Sequence, residues 1–144
     1  MQGQLIGHSK IRNFVLSGNA YFTIVNPDKG TRYTYRVSQK ENPDGSKSPH
    51  FVGVLSGSDN VHHYRYLGVI FDGKNYRRTS KSKIGANAPS ALAFNWLWKV
   101  LNIESPAINR IEFWHEGRCG RCGRKLTVPE SIETGIGPVC AGRA

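Results

Sequence analysis

The strongest constraint on this chain lies near its C-terminus, where His115, Cys119, Cys122 and Cys140 follow the spacing His-x3-Cys-x2-Cys-x17-Cys. The chain has 3 cysteines, all in this stretch. A disulfide would leave one thiol over, whereas three thiolates and one imidazole complete a closed tetrahedral zinc shell. In Cys119-Gly120-Arg121-Cys122-Gly123 a glycine follows each cysteine, so the backbone can turn tightly and present amide N–H groups to sulfur. Gly135-Ile136-Gly137-Pro138-Val139-Cys140 reads as a turn into a short terminal helix with Pro138 in its first turn. Cys119, Cys122 and Cys140 are therefore the expected Zn2+ ligands, and His115 is the choice for the fourth. Glu116, another histidine or a water stay open for that position, and a water would give the exchangeable site of a catalytic zinc. Three reduced cysteines without metal fit less well, because the segment is poor in apolar residues to bury sulfur. A redox Cys-x2-Cys lacks its strand-to-helix context.

A knuckle followed by a helix-borne cysteine resembles a treble-clef finger. It departs from that pattern after Cys140, where Ala141, Gly142 and Arg143 offer no second helical ligand. The same segment resembles a small cysteine-rich domain of unknown function common in phage and prophage proteins. The resemblance is carried by Cys-x2-Cys-Gly-Arg-x-Leu, by Pro129-Glu130-Ser131-Ile132 and by Gly-Ile-Gly-Pro-x-Cys. The upstream words LSGNAYFTIVNPDKGTRYTYRV, YRYLGVIFDG and AFNWLWK are similar to those of phage-encoded proteins that carry this domain. What the resemblance implies is a phage or mobile-element origin, with no catalytic residues to transfer.

Length bounds the remainder: 144 residues allow one medium domain with its own core. No apolar run approaches the roughly 18 residues of a membrane helix, and MQGQLIGHSK lacks the apolar centre of a signal peptide. The expectation is a cytoplasmic protein of a bacterial host cell with no membrane partner, in keeping with reduced thiols. Charge points to a partner, because 20 Lys and Arg against 10 Asp and Glu give +10 at pH 7, a field that attracts polyanions. Residues 1–109 hold 14 basic and 6 acidic side chains, and residues 110–144 hold 6 and 4. The excess thus lies mainly upstream of the cysteines.

Residues 13–25, 31–38, 50–56, 61–71 and 75–80 are rich in Val, Ile, Thr, Tyr and Phe and read as strands, the first one bent at Ser17-Gly18-Asn19. Turn chemistry separates them: Asn26-Pro27-Asp28-Lys29-Gly30, residues 41–46, residues 57–60 and Asp72-Gly73. Ala88-Pro89-Ser90 opens an apolar helix over 91–101 lying across the sheet, with Leu92, Trp96, Leu97, Val100 and Leu101 on one face, packed in the core, and Phe94 and Trp98 on another that would reach the zinc module or a second subunit. The fold class is α+β: an antiparallel β-meander with one main helix packed on it, plus a C-terminal treble-clef-like zinc module. Residues 1–109 form the sheet and helix, and 110–144 the module packed on it.

The stretch 74–83 holds five positive charges, no acid and one tyrosine. In 31–37, Arg32, Thr34 and Arg36 alternate with Tyr33, Tyr35 and Val37. Aromatic platforms beside cations are what single-stranded nucleic acid requires, since bases stack while phosphates are neutralised alongside. The expected contacts are Arg32, Arg36, Lys74, Tyr76, Arg77, Arg78, Lys81 and Lys83, with Arg121 and Arg124 secondary; Arg118, Lys125 and Arg143 would extend those two into a second contact zone around the metal. The competing structural account makes the tyrosines half-buried core residues and the basic run a solvated loop. The arrangement is also similar, by fold analogy alone, to single-strand binders of the transcription-coactivator and whirly type, which act as pairs, so a homodimer belongs among the expectations.

Catalysis is not expected. His62 and His63, near Asp59, are neighbours that would point to opposite faces of a strand, and no Walker, nucleophile-elbow, His-Glu-x-x-His or deaminase His-x-Glu motif is present. The expected function is a non-enzymatic, phage-encoded nucleic-acid-binding protein, single-stranded DNA favoured, with a structural zinc. The alternatives are a phage adaptor or inhibitor of a host polymerase, nuclease or defence protein, and a zinc-dependent nucleic-acid enzyme.

Overall fold

The computed structural model describes residues 3–56, 63–122, 124–126 and 134–137. Its elements run β1 (Gly3–Leu5), α1 (His8–Val15), β2 (Asn19–Asn26), β3 (Thr31–Ser38), β4 (His50–Leu55), β5 (Tyr64–Phe71), β6 (Asn75–Arg77), α2 (Pro89–Asn102), a 3-10 turn (Pro106–Arg110) and β7 (Glu112–His115). The strands form one antiparallel sheet in the order β1-β7-β2-β3-β4-β5-β6. From β2 to β6 this is the expected meander, and the turn residues explain it. Asn26 accepts from the amides of Asp28 and Lys29 through its side-chain oxygen at 3.1 and 3.2 Å. Asp72 and Gly73 both take positive φ, 55° and 66°, in the three-residue turn between Phe71 and its partner Asn75.

Four expectations need correction. Residues 13–15 close α1 instead of opening a strand, because Ile11, Phe14 and Val15 bury one helical stripe, whereas a strand would turn Phe14 and Val15 to opposite faces. There are two helices and a 3-10 turn among the described residues, not one main helix. Phe94 and Trp98 are core residues of α2, stacked 6.2 Å apart, while Leu92 is 52% exposed. Glu112–His115, placed in the C-terminal module by the sequence reading, follows the 3-10 turn as an inner strand, β7, which pairs β1 on one side and β2 on the other. The boundary expected between 109 and 110 runs just ahead of this strand. Residues 61–62 of the fourth expected strand, and the terminal helix around Cys140, lie outside the described residues.

Both helices cover the same side of the sheet. Phe14 of α1 meets Phe22 and Phe113 edge-on at 6.5 and 6.1 Å, and those two rings stack at 4.7 Å. Phe94 of α2 lies on Tyr35 and Tyr76 at 5.3 and 4.9 Å, and the Tyr35 hydroxyl donates to the Ser90 carbonyl at 2.6 Å. Trp98 Nε1 donates to the Lys74 carbonyl at 2.8 Å, tying α2 to the β5–β6 turn. Among the described residues no helix is long and apolar enough to cross a membrane.

His50, buried at the start of β4, donates from Nε2 to the Leu16 carbonyl at 3.0 Å. Burial holds its pKa below the ordinary 6.5, outweighing the Leu16 bond, and Lys47 lowers it further. The folded state therefore binds this proton less readily than the unfolded chain, so stability is full above pH 6.5 and is lost as pH falls through the depressed value. In His50→Gln, whose amide can still donate to Leu16, denaturant-measured stability should fall less between pH 7 and 5 than in the wild type. Superimposable pH profiles would refute this assignment.

Candidate functional site

Strand alternation splits the sheet into a helix-covered face and an open one. Tyr33, Tyr35 and Val37 of β3 face the helices, so Arg32, Thr34 and Arg36 face the other way. The same alternation puts Tyr21 and Thr23 of β2, Phe51 and Gly53 of β4, Tyr66 and Phe71 of β5, Arg77 of β6 and Trp114 of β7 on the open face. Thr23 and Thr34 meet there through their hydroxyls at 2.7 Å. Tyr21 is buried although no helix covers it. The guanidinium carbons of Arg36 and Arg118 lie 5.3 and 5.4 Å from its ring centre, and Tyr64 meets it edge-on at 5.7 Å. Arg36 also donates to Asn19 Oδ1 at 3.2 Å. Burial, then the charge of Glu116, raises the Tyr64 phenol pKa, so it stays neutral.

The expected nucleic-acid contacts fall into five places. Arg32, Arg36 and Arg77 share the open face. Lys74 is exposed in the β5–β6 turn. Arg78, Lys81 and Lys83 are exposed on the loop after β6, where Arg78 donates to the Ile84 carbonyl. Tyr76, expected as a stacking platform, belongs to the helix-covered face against Phe94, because its register partner Ile70 points there. Arg121 is exposed at the knuckle and Arg124 is exposed beside it. The knuckle docks at the start of β2 through the Asn19 amide, and the basic loop bonds to β5, three strands further across the sheet.

The knuckle is docked by glycines. Gly120 accepts from the Asn19 amide and donates to the Gly135 carbonyl, both at 2.7 Å. A Cβ on Gly120 would lie 2.3 Å from Ser17 Oγ and 2.7 Å from the Phe14 ring, and one on Gly135, at φ +76°, 2.4 Å from the same ring. Further bonds close the turn: Cys119 N to Arg124 O and Leu126 N to Gly117 O, each 2.7 Å. Cys119 is buried and Cys122 exposed, and they are not joined to each other. Burial raises the Cys119 thiol pKa, but hydrogen bonds from the Gly137, Cys122 and Arg121 amides and from the Cys122 side chain outweigh it and bring it to about 7.

His115 is fully buried. Its Nδ1 accepts the Gly117 amide at 3.0 Å, its ring lies 5.7 Å from Phe14, and a Cβ on Gly3 would fall 2.2 Å from Nε2. To serve as a metal ligand through Nδ1 it would have to give up the Gly117 bond. Among the described residues no group of three or more His, Cys, Asp or Glu side chains is gathered for a metal, and Cys140 lies outside them. His62, of the pair considered for proton transfer, lies outside them too.

The sequence reading missed Tyr21, Phe51, Tyr66 and Trp114 as open-face residues. Within β2 alternation alone sets Tyr21 opposite to the inward Phe22, but the places of Phe51, Tyr66 and Trp114 follow only from strand pairing, which for Tyr66 includes the β4–β5 register slip.

A family model described as "Family of unknown function (DUF6011)" matches residues 113–144, beginning inside β7. No curated protein and no solved structure matches the chain.

The close approach at Gly120 gives a test of knuckle docking. Gly120→Ala should lower stability by about 1–3 kcal/mol through overpacking against Phe14. Gly85→Ala, where nothing lies within 4 Å of the added carbon, should be close to neutral. Equal thermal midpoints for the two variants would show that the knuckle does not rest on Phe14.

Proposed function

We propose that this chain is a non-enzymatic nucleic-acid-binding protein that prefers single strands, and that it is phage-encoded and acts in the bacterial cytoplasm. The observation that carries this reading is the open face, on which arginines stand among aromatic side chains in a protein of net charge +10. Guanidinium groups supply phosphate attraction, and ring faces supply stacking that is available only where bases are unpaired. A duplex would find the charges but not the stacking. Fluorescence anisotropy against single-stranded DNA, duplex DNA and RNA across a salt series should give a steep log-log salt slope, with single strands bound more tightly. Equal affinity for duplex would remove the strand preference. No binding at low salt would reject the reading in favour of a host-protein adaptor.

The same proposal includes a structural zinc held by Cys119, Cys122 and Cys140. The residues present suit it: the Cys119 sulfur accepts the Arg121 amide at 3.4 Å, and amide donors of this kind stabilise a metal-bound thiolate. His115 completes the set only by exchanging its Gly117 bond for the metal; Glu116, another histidine or water are the other fourth ligands. Zinc would supply folding free energy to the C-terminal segment and no chemistry. Elemental analysis should find one zinc per chain, lost in Cys119→Ser, and chelation should lower the thermal midpoint. Protein purified from zinc-supplemented cells without bound metal would exclude the site.

A further inference from the structure

The open face is not uniform, and its register separates two kinds of aromatic side chain. Tyr21 and Tyr64 are engaged with one another, and Arg36 and Arg118 cap Tyr21. Those rings are paving, with little face left for a base. Phe51 and Tyr66 differ. They lie 6.3 Å apart on adjacent strands, each half-buried, and Phe71, on the same face of β5, is 42% exposed. The β4–β5 ladder slips at Val52/Gly53, which brings Tyr66 and Val69 onto one face despite their odd spacing.

Cross-strand register puts a cation on each side of this strip. Arg36 of β3 pairs with Gly53, which pairs with Tyr66. Arg77 of β6 pairs with Val69, which pairs with Phe51. Arg36 and Arg77 are thus three strand spacings apart across the sheet and two residues apart along it, roughly 16 Å, with Phe51 and Tyr66 between them.

The loop carrying Arg78, Lys81 and Lys83 has a sufficient structural occupation. Beyond the short β6, Lys83 N donates to the Tyr66 carbonyl at 2.8 Å and Ser82 Oγ to the Leu67 carbonyl at 2.8 Å, sealing the β5 edge. Lysines on such an edge oppose pairing with another chain.

Resting on the single-strand reading above, we propose that Phe51, Tyr66 and Phe71 form the base-stacking strip of this protein, with Arg36 and Arg77 holding the flanking phosphates. The occupant is single-stranded nucleic acid, argued from charge complementarity together with the rings: a neutral peptide would leave both guanidinium groups and the net +10 unanswered, and an acidic peptide would answer the charge but bring no planar bases to the three rings. The basic loop contributes long-range attraction and no strand preference.

The test compares Phe51→Leu, Tyr66→Leu and Phe71→Leu with Lys81→Gln/Lys83→Gln, using an oligothymidine and the matched duplex. Each leucine keeps apolar volume but removes a ring face, so single-strand affinity should drop roughly 5- to 150-fold per base contact, the equivalent of about 1–3 kcal/mol. Duplex affinity should hardly change, so the preference for single strands collapses. The glutamine pair should weaken both ligands alike and flatten the salt slope. If wild-type protein binds single strands while the leucine variants keep full affinity and preference, the strip is wrong and the broader reading stands. If wild-type protein binds no oligonucleotide, both fall. Photo-crosslinking of wild-type protein to 5-iodouracil-substituted oligothymidine needs no variant to fold: adducts within residues 50–55 and 64–71 support the strip, and adducts confined to residues 78–84 overturn it.

Discussion

Phe113 stacked on Phe22, with the Phe14 ring set edge-on against both, is the contact on which this architecture depends. Such pairs contribute about 0.5–1.5 kcal/mol each beyond the area they bury. The larger consequence here is topological. Phe113 lies far along the chain from Phe22, and their contact draws β7 into the sheet between β1 and β2, leaving β1 as the edge. Glu112–His115 is thereby continuous with the sheet on both its edges. The knuckle leaves directly from His115, so its position is set by strand register, not by a flexible linker.

Phe14 couples this cluster to the cysteines. One side of its ring serves the core, while its edge is the floor on which Gly120 and Gly135 rest without side chains. His115 lies beside it, its Nδ1 bonded to the Gly117 amide that begins the turn. Glycine at these positions answers a steric demand from a helix a hundred residues earlier, as well as the demand for amides near sulfur. Loosening the knuckle would therefore be felt in α1 and at the start of β2, where the Asn19 amide bonds to Gly120.

What could be read in the sequence followed period and turn chemistry. β3 was legible to the residue because Thr31–Ser38 alternates strictly and is bounded by Gly30. Residues 13–15 were not, since Phe14 and Val15 have strand propensity, and only the helical spacing from Ile11 reveals their state. In α2 both candidate faces were apolar, so the sequence offered no way to choose between Leu92 and Phe94; Tyr35 and Tyr76 opposite the helix decided it. β7 is four residues long and draws its stability from partners at both its edges, information absent from Glu112–His115 itself. For the site, the basic run was conspicuous because its charges adjoin in sequence. The aromatic strip was obscured because its rings come together only through pairing and a register slip.

The division of the two faces lets one sheet meet opposed requirements. The helix-covered face closes its polar groups internally, as with the Tyr35 hydroxyl on Ser90 and Trp98 Nε1 on Lys74, so it can be dense and apolar without orphaned donors. The open face keeps planar side chains half-exposed, which costs stability unless something shields them. Arginine does this well, because its weakly hydrated guanidinium lies flat on a ring and still presents donors outward. Arg36 and Arg118 on Tyr21 keep that ring from water while leaving cations at the surface. An anionic ligand can then be met without unpacking the face, and a strongly basic protein can carry exposed aromatics while like-charge repulsion between its copies opposes their pairing.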